Sequence, residues 1–350
     1  LAANVTRNVG LLIFVVLTLA WIIYWIVNNR KARREVGSEI ELAPNRKPYY
    51  SDEELGGPRL LRTQMVAVGA LVIVAIGLPV YWLHEPSRQA GAVADYDAKF
   101  ATWGSKDFAP TASGGFNCAG CHGGMNASGG VAAYTVTDPH TGEVEAVNWK
   151  APALNTVLYR FSTDEVTYIL QYGRPFSPMS AWGSLGGGPM TDQQISNIIE
   201  YLKSIQIPME GCPAGERICE TGHLPKSVTD DIQKSAEAGV ASGKYKTVGE
   251  ALFSLDINSG AYSCARCHTK GWSYDQPEVS GGGAMGPNLT GGDETRQFPN
   301  EADQIAFVGA GSEQGKKYGQ QGQGSGRMPG YEQLLTDDQI RAIVEYERSL

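Results

Sequence analysis

Two stretches near the start of the chain contain almost no polar side chains. Residues 9–27 (VGLLIFVVLTLAWIIYWIV) and 64–83 (QMVAVGALVIVAIGLPVYWL) run 19 and 20 residues, close to the roughly 20 that an α-helix needs to cross a bilayer. Farther along, the pattern narrows to a single apolar face. In 191–205 (TDQQISNIIEYLKSI) and 336–350 (TDDQIRAIVEYERSL), Ile195, Ile198 and Ile199 match Ile340, Ile343 and Val344 at helical spacing. Each helix opens on a Thr-x-x-Gln capping box, Thr191 with Gln194 and Thr336 with Gln339. Tyr201 and Tyr346 each follow the capping threonine by ten residues. The pattern predicts a mainly α chain: two N-terminal transmembrane helices followed by two small all-α domains.

Charge orients the anchor. Arg7 alone precedes the first run, whereas 28–63 hold eight Lys/Arg, beginning with Arg30, Lys31, Arg33 and Arg34. Basic loops stay cytoplasmic, so the N-terminus and everything after residue 84 face the opposite, extracytoplasmic side of a bacterial cytoplasmic membrane. A cleavable signal peptide would show a basic flank before the run and a small-residue cleavage site after it, and neither is present. Trp21, Tyr24, Trp25, Tyr81 and Trp82 sit where aromatic belts form, and Pro79 is expected to kink the second span. The formal charge is −8, and residues 1–88 hold ten Lys/Arg and seven Asp/Glu, which leaves 19 basic and 30 acidic residues beyond them. So acidic a surface argues against a nucleic-acid partner and favours a partner with a basic face. The 43 glycines and 19% charged residues point to loop-rich units wrapped around something other than a large apolar core.

The six cysteines fall into three pairs. Two pairs lie in Cys118-Ala119-Gly120-Cys121-His122 and Cys264-Ala265-Arg266-Cys267-His268. A Cys-x-x-Cys-His run is the attachment signature of c-type haem: the thiols add across the two vinyl groups, and the histidine is held beneath the iron. A zinc or thiol-redox pair is the competing reading of one copy; two copies followed by one downstream pattern favour two haems. After each motif come a Pro-x-Leu (Pro152-Ala153-Leu154; Pro287-Asn288-Leu289) and a methionine in a Gly/Pro-rich loop. Met179 lies 57 residues after His122, and Met328 lies 60 after His268. Met190 is the rival to Met179, although it abuts the capping Thr191. Met285 precedes its Pro-x-Leu, and Met125 is three residues from His122. His140 and His223 are the replacement histidines, and both read as exposed loop residues. Cys212 and Cys219 enclose six residues with Pro and Gly, which makes a local disulfide easy and points to an oxidising compartment. A metal site on these two cysteines and His223 is the minor alternative.

This order of motifs resembles the class I cytochrome c family over residues 96–207 and 244–350. The resemblance implies an N-terminal helix crossing the C-terminal one, with two covalent haem c groups held by Cys118, Cys121, Cys264 and Cys267. It implies His122 with Met179, and His268 with Met328, on the irons. It also implies that the carbonyls of Pro152 and Pro287 accept the Nδ1 protons of His122 and His268, fixing the rings. Gly249 to Phe253 looks like the family's first helix, with Phe253 packing on the terminal helix; the counterpart in the first unit is placed around Tyr96 to Trp103.

The chain then divides into an anchor (1–88) with spans at about 9–27 and 64–83 and a cytoplasmic loop, a first cytochrome domain (89–207), a disulfide-bearing linker or insertion (208–243) and a second cytochrome domain (244–350). Met/His ligation fills both axial positions, so no catalytic residue is assigned, and an electron-transfer subunit of an oxidoreductase complex is expected. The expected role is relay from a quinol-oxidising cytochrome bc-type complex towards a terminal haem-copper oxidase, with cytochrome b, a Rieske protein and the oxidase as partners. The arrangement is similar to the dihaem subunit of actinobacterial bcc complexes, which carries its anchor at the C-terminus. It is also similar to the dihaem subunit of cbb-type oxidases, whose Pro-Leu-Pro-x-Trp-Trp run is missing here. The enzyme-linked alternatives are the cytochrome subunit of a periplasmic dehydrogenase and a dihaem peroxidase, which needs a displaceable axial ligand. A haem sensor would need a signalling module that an inner loop of 36 residues (28–63) is too short to supply.

Overall fold

A computed structural model describes residues 12–13, 15–27, 51, 56–137, 141–174, 177–256, 263–313, 315–320 and 327–350. The chain forms two compact units, Leu1–Gln89 and Ala90–Leu350. The first contains helix α1 (Val15–Val27) and most of helix α2 (Pro58–Phe108). Side chains such as Leu71, Ile73 and Trp82 are exposed all around α2, the surface of a helix that needs an apolar medium to cover it. Among the described residues one helix, Leu60–Phe108, is long and apolar enough to cross a membrane, and α1 is shorter than that. The expected span at 64–83 lies inside α2. Of the expected span at 9–27 the described residues give α1, and residues 9–11 and 14 lie outside them, so two spans are not established.

The second unit holds the two repeats. The first runs from the last turns of α2 through α3 (Cys118–His122), strands β1 (Gly130–Thr137) and β2 (Val144–Ala151), α4 (Thr163–Tyr172) and α5 (Asp192–Ile205). The second comprises α7 (Val248–Ser254), α8 (Ala265–His268), α9 (Asp293–Gln297), α10 (Glu301–Ala310) and α11 (Asp337–Glu347). Both capping boxes at the starts of α5 and α11 are closed in both directions. One core packs Phe108, Met190, Ile195, Ile198 and Leu202. The other packs Phe253, Leu334, Ile343 and Val344, and it extends to Ala153 and Tyr159 of the first repeat. The second core therefore takes in residues of both repeats.

The structure departs from the sequence expectation in two places. The first domain is not all-α, because β1 and β2 pair antiparallel with Gly130 opposite Ala151 and Thr137 opposite Val144. The β-branched and aromatic residues of AAYTVT and AVNW, separated by Asp138-Pro139 and Gly142, carry the strand-and-turn chemistry that explains this. Residues 208–243 are also more than a connection. They contain α6 (Lys226–Ala241), whose Ile232 and Ala236 are buried in the second core beside Leu224 and Met209.

Candidate functional site

Each repeat opens with a helix that crosses its closing helix at a glycine. A Cβ on Gly104 would lie 1.9 Å from Asn197 O, and one on Gly249 would lie 2.0 Å from Ala342 O, so both crossings depend on the missing side chain. Four residues on, Phe108 and Phe253 meet Tyr201 and Tyr346 at ring-centroid distances of 5.2 and 5.3 Å. The first helix of repeat one is thus centred on Gly104 and Phe108, past the expected Tyr96 to Trp103. The shared Gly-x-x-x-Phe spacing, GSKDF against GEALF, is the signal that would have located it.

Behind this crossing sit the cysteine motifs. The four thiols are unpaired, and burial pushes Cys118 up to about 11 and raises Cys264 and Cys267 as well. Such thiols stay protonated at neutral pH, unlike the thiolates that bind metals or act as nucleophiles. His122 Nδ1 lies 2.8 Å from Pro152 O, and His268 Nδ1 lies 2.9 Å from Pro287 O. A proline carbonyl can only accept, so each ring carries its proton on Nδ1 and leaves the Nε2 lone pair for a ligand. Burial lowers the pKa of both histidines, which keeps them neutral. Over His268 the chain passes as Gly286, where a Cβ would sit 2.7 Å from Cε1 of the ring.

The methionine loops correspond just as closely. α4 ends at Gly173 (φ 73°) and α10 at Gly311 (φ 75°). In that left-handed region a glycine costs least. A Cβ on Gly173 would lie 2.5 Å from Met179 O, and one on Gly311 the same distance from Met328 O. The next amides, Arg174 and Ser312, each donate to those same carbonyls at 2.8 Å. Met179 and Met328 therefore occupy equivalent positions, each half-buried against the core of its own repeat. Met190 instead matches Leu335: each precedes its capping threonine, and they are 1% and 5% exposed in the two cores. His223 is exposed in the loop beside Cys212 and Cys219, which are disulfide-bonded. His140 lies outside the described residues.

The second motif and its flanking segments meet β2 of the first repeat. Trp149 of β2 packs edge-on against Tyr274 at 4.6 Å, and Lys150 Nζ reaches Asp256 at 3.0 Å and Asp275 at 2.9 Å. Arg266, inside the second motif, donates to Lys150 O at 2.7 Å. Burial draws its guanidinium down to about 10, so it remains charged at neutral pH. Arg327, next to Met328, pairs with Glu165 at 2.7 Å.

This donor set fits haem c. Each repeat offers two neighbouring free thiols, a histidine oriented through Nδ1 and a methionine loop pinned to a helix end. It does not fit zinc, since no group of three or more His, Cys, Asp or Glu suited to a metal occurs among the described residues. The family model described as Cytochrome c matches residues 106–206 and again 249–350, together more than half the chain. No curated protein and no solved structure matches it.

Proposed function

The chain belongs to the cytochrome c family, a family of electron-transfer proteins with covalently bound haem c, and from that premise we propose that it is a membrane-anchored dihaem cytochrome of a respiratory complex. It relays electrons from a quinol-oxidising bc-type complex towards a terminal haem-copper oxidase. The observation that carries this reading is the pair of equivalent ligand frames, His122 with Met179 and His268 with Met328, in one compact unit.

In this reading Cys118, Cys121, Cys264 and Cys267 would hold the two haem c groups covalently, and His122 with Met179 and His268 with Met328 would ligate their irons. Haem c, once attached, supplies a one-electron iron couple. The protein's contribution is to orient and to exclude. Pro152 and Pro287 lock the imidazoles, Gly173 and Gly311 let the methionine loops close against α4 and α10, and the buried cores keep water away. A methionine on each distal side favours electron transfer over peroxidase chemistry, which needs a displaceable ligand. The long apolar stretch of α2 supports an anchor, and the Cys212–Cys219 disulfide supports an oxidising, extracytoplasmic side.

Two experiments test the proposal. Purification in gentle detergent, with co-purifying subunits identified by mass spectrometry, is expected to recover cytochrome b and a Rieske protein. Recovery of a dehydrogenase, or of the cytochrome alone with peroxidase turnover, overturns the host assignment. Met179→Ala is expected to abolish one methionine–iron charge-transfer band while Met190→Leu keeps both bands; the reverse result exchanges the two roles.

A further inference from the structure

We infer that Arg266 is a positioning residue for both haem sites, a cation at the interface of the repeats that raises the reduction potential of each iron. The inference rests on the dihaem reading above. Arg266 is the third residue of the second attachment motif, so its backbone is fixed between Cys264 and Cys267. Its side chain leaves its own repeat. The guanidinium donates to the carbonyl of Lys150 at 2.7 Å, two residues before Pro152, whose carbonyl holds His122. It lies 5.4 Å from the ring centroid of the buried Trp272, which Lys150 Nζ approaches at 4.7 Å. The charge thus stands next to Cys267 in the chain and against the backbone that leads into Pro152, the residue that holds His122.

Nothing in the repeat demands this charge. The equivalent residue of the first motif is Gly120, where a Cβ would lie 2.5 Å from Asn117 Oδ1. The cation is therefore a feature of one motif that serves the interface. Arg160 adds a like charge nearby, and Asp256 an opposing one. A fixed positive charge disfavours the extra positive charge of an oxidised iron, and partial burial leaves that effect less screened than it would be in open water. Each site then holds its single electron more tightly, with no bond made or broken and no proton moved.

The test is a spectroelectrochemical titration of the purified full-length protein, after haem content per chain has been measured. Arg266→Gln is expected to lower the reduced-to-oxidised ratio at fixed ambient potential about tenfold at both haems, which is about 59 mV for a one-electron couple. Arg266→Lys, which keeps the charge and loses the planar fork, is expected to stay within about threefold of the parent. Asp256→Asn removes the opposing charge and moves both ratios the other way; it also serves if Arg266→Gln fails to assemble. A shift at the second haem alone, no shift at either, or equal shifts in the Lys and Gln variants would overturn the proposal. A parent protein with fewer than two haems per chain would instead overturn the dihaem reading.

Discussion

The sharpest test of the double fold is to add one methyl group at each helix crossing. In Gly249→Ala the new Cβ would lie 2.0 Å from Ala342 O and 2.9 Å from Tyr346 Cβ; in Gly104→Ala it would lie 1.9 Å from Asn197 O and 2.8 Å from Tyr201 Cβ. The obstacle in each case is a helix backbone, which cannot swing aside as a flexible side chain would, so the helices must separate. Overpacking costs about 1–3 kcal/mol, and these sites belong near the top of that range. Alanine's better helix propensity returns up to about 1 kcal/mol, leaving a net loss of about 2 kcal/mol. In a cooperative unit of this size that lowers Tm by about 4–8 °C. Gly91→Ala is the control, because it lies in α2 with nothing within 4 Å of its Cβ, and it is expected to be neutral or slightly stabilising. Calorimetry on all three variants, with the methionine–iron bands followed on heating, reads both stability and the site. If Gly104→Ala and Gly249→Ala melt with the parent, the crossings are not where the structure puts them, and the equivalence of the repeats fails with them.

Three further outcomes follow from side chains outside the ligand frames. Glu347, buried and bonded to Gln304 Nε2 at 3.0 Å, has its carboxyl pushed up to about 8 by burial, from an ordinary 4.5. Its contribution to stability is therefore complete below about pH 4.5 and fades as pH rises through about 8, a swing of a few kcal/mol; unfolding free energies across that window should fall in the parent and flatten in Glu347→Gln, and a parent that gains stability there refutes the reading. Lys150→Met removes an amine held by two carboxylates that are 37% and 59% exposed; because water can reach them, the loss should be about 1–2 kcal/mol rather than the 3–5 of a fully buried pair, as denaturant titration would show. Replacing Cys212 and Cys219 by serine opens a loop of sequence separation 7, worth about 2 kcal/mol on the loop-closure model, and should lower Tm without altering the haem spectrum.

Most of the ligand frame was legible because covalent chemistry and capping leave local marks. Cys-x-x-Cys-His is contiguous, Thr-x-x-Gln marks a helix start, and Pro-x-Leu recurs at a comparable place after each motif. What the local pattern left open was set by tertiary partners. Met179 and Met190 both follow a proline in a glycine-rich loop, and sequence alone favours one over the other only through neighbours. In the structure Arg174 N and Ser312 N donate to the carbonyls of Met179 and Met328, and Met190 fills the place of Leu335, which supports the proposed choice of Met179. The first helix of repeat one was misplaced for a related reason. α2 runs unbroken into it, so no cap or turn marks where the crossing begins, and only the paired glycines at 104 and 249 reveal it.

The interface was the least legible part, and it bears most on function. β1 and β2 form a local hairpin, but their purpose lies in distant residues: Trp149 on Tyr274, Lys150 between Asp256 and Asp275, Glu145 accepting from Gln276 Nε2 at 2.5 Å. The insertion after residue 207 likewise sends Leu224 and Ile232 into the second core, and Leu224 N donates to Gln333 O at 2.7 Å. The bonds of β2 and of Leu224 join segments about 100 or more residues apart, so no periodicity within a short window can register them. Together they bind two repeats, each with its own candidate site, into one compact unit. For an electron carrier that is the more consequential property. Two independent domains would leave their relative placement to a linker, whereas the contacts of Trp149, Lys150 and Arg266 hold one repeat against the other.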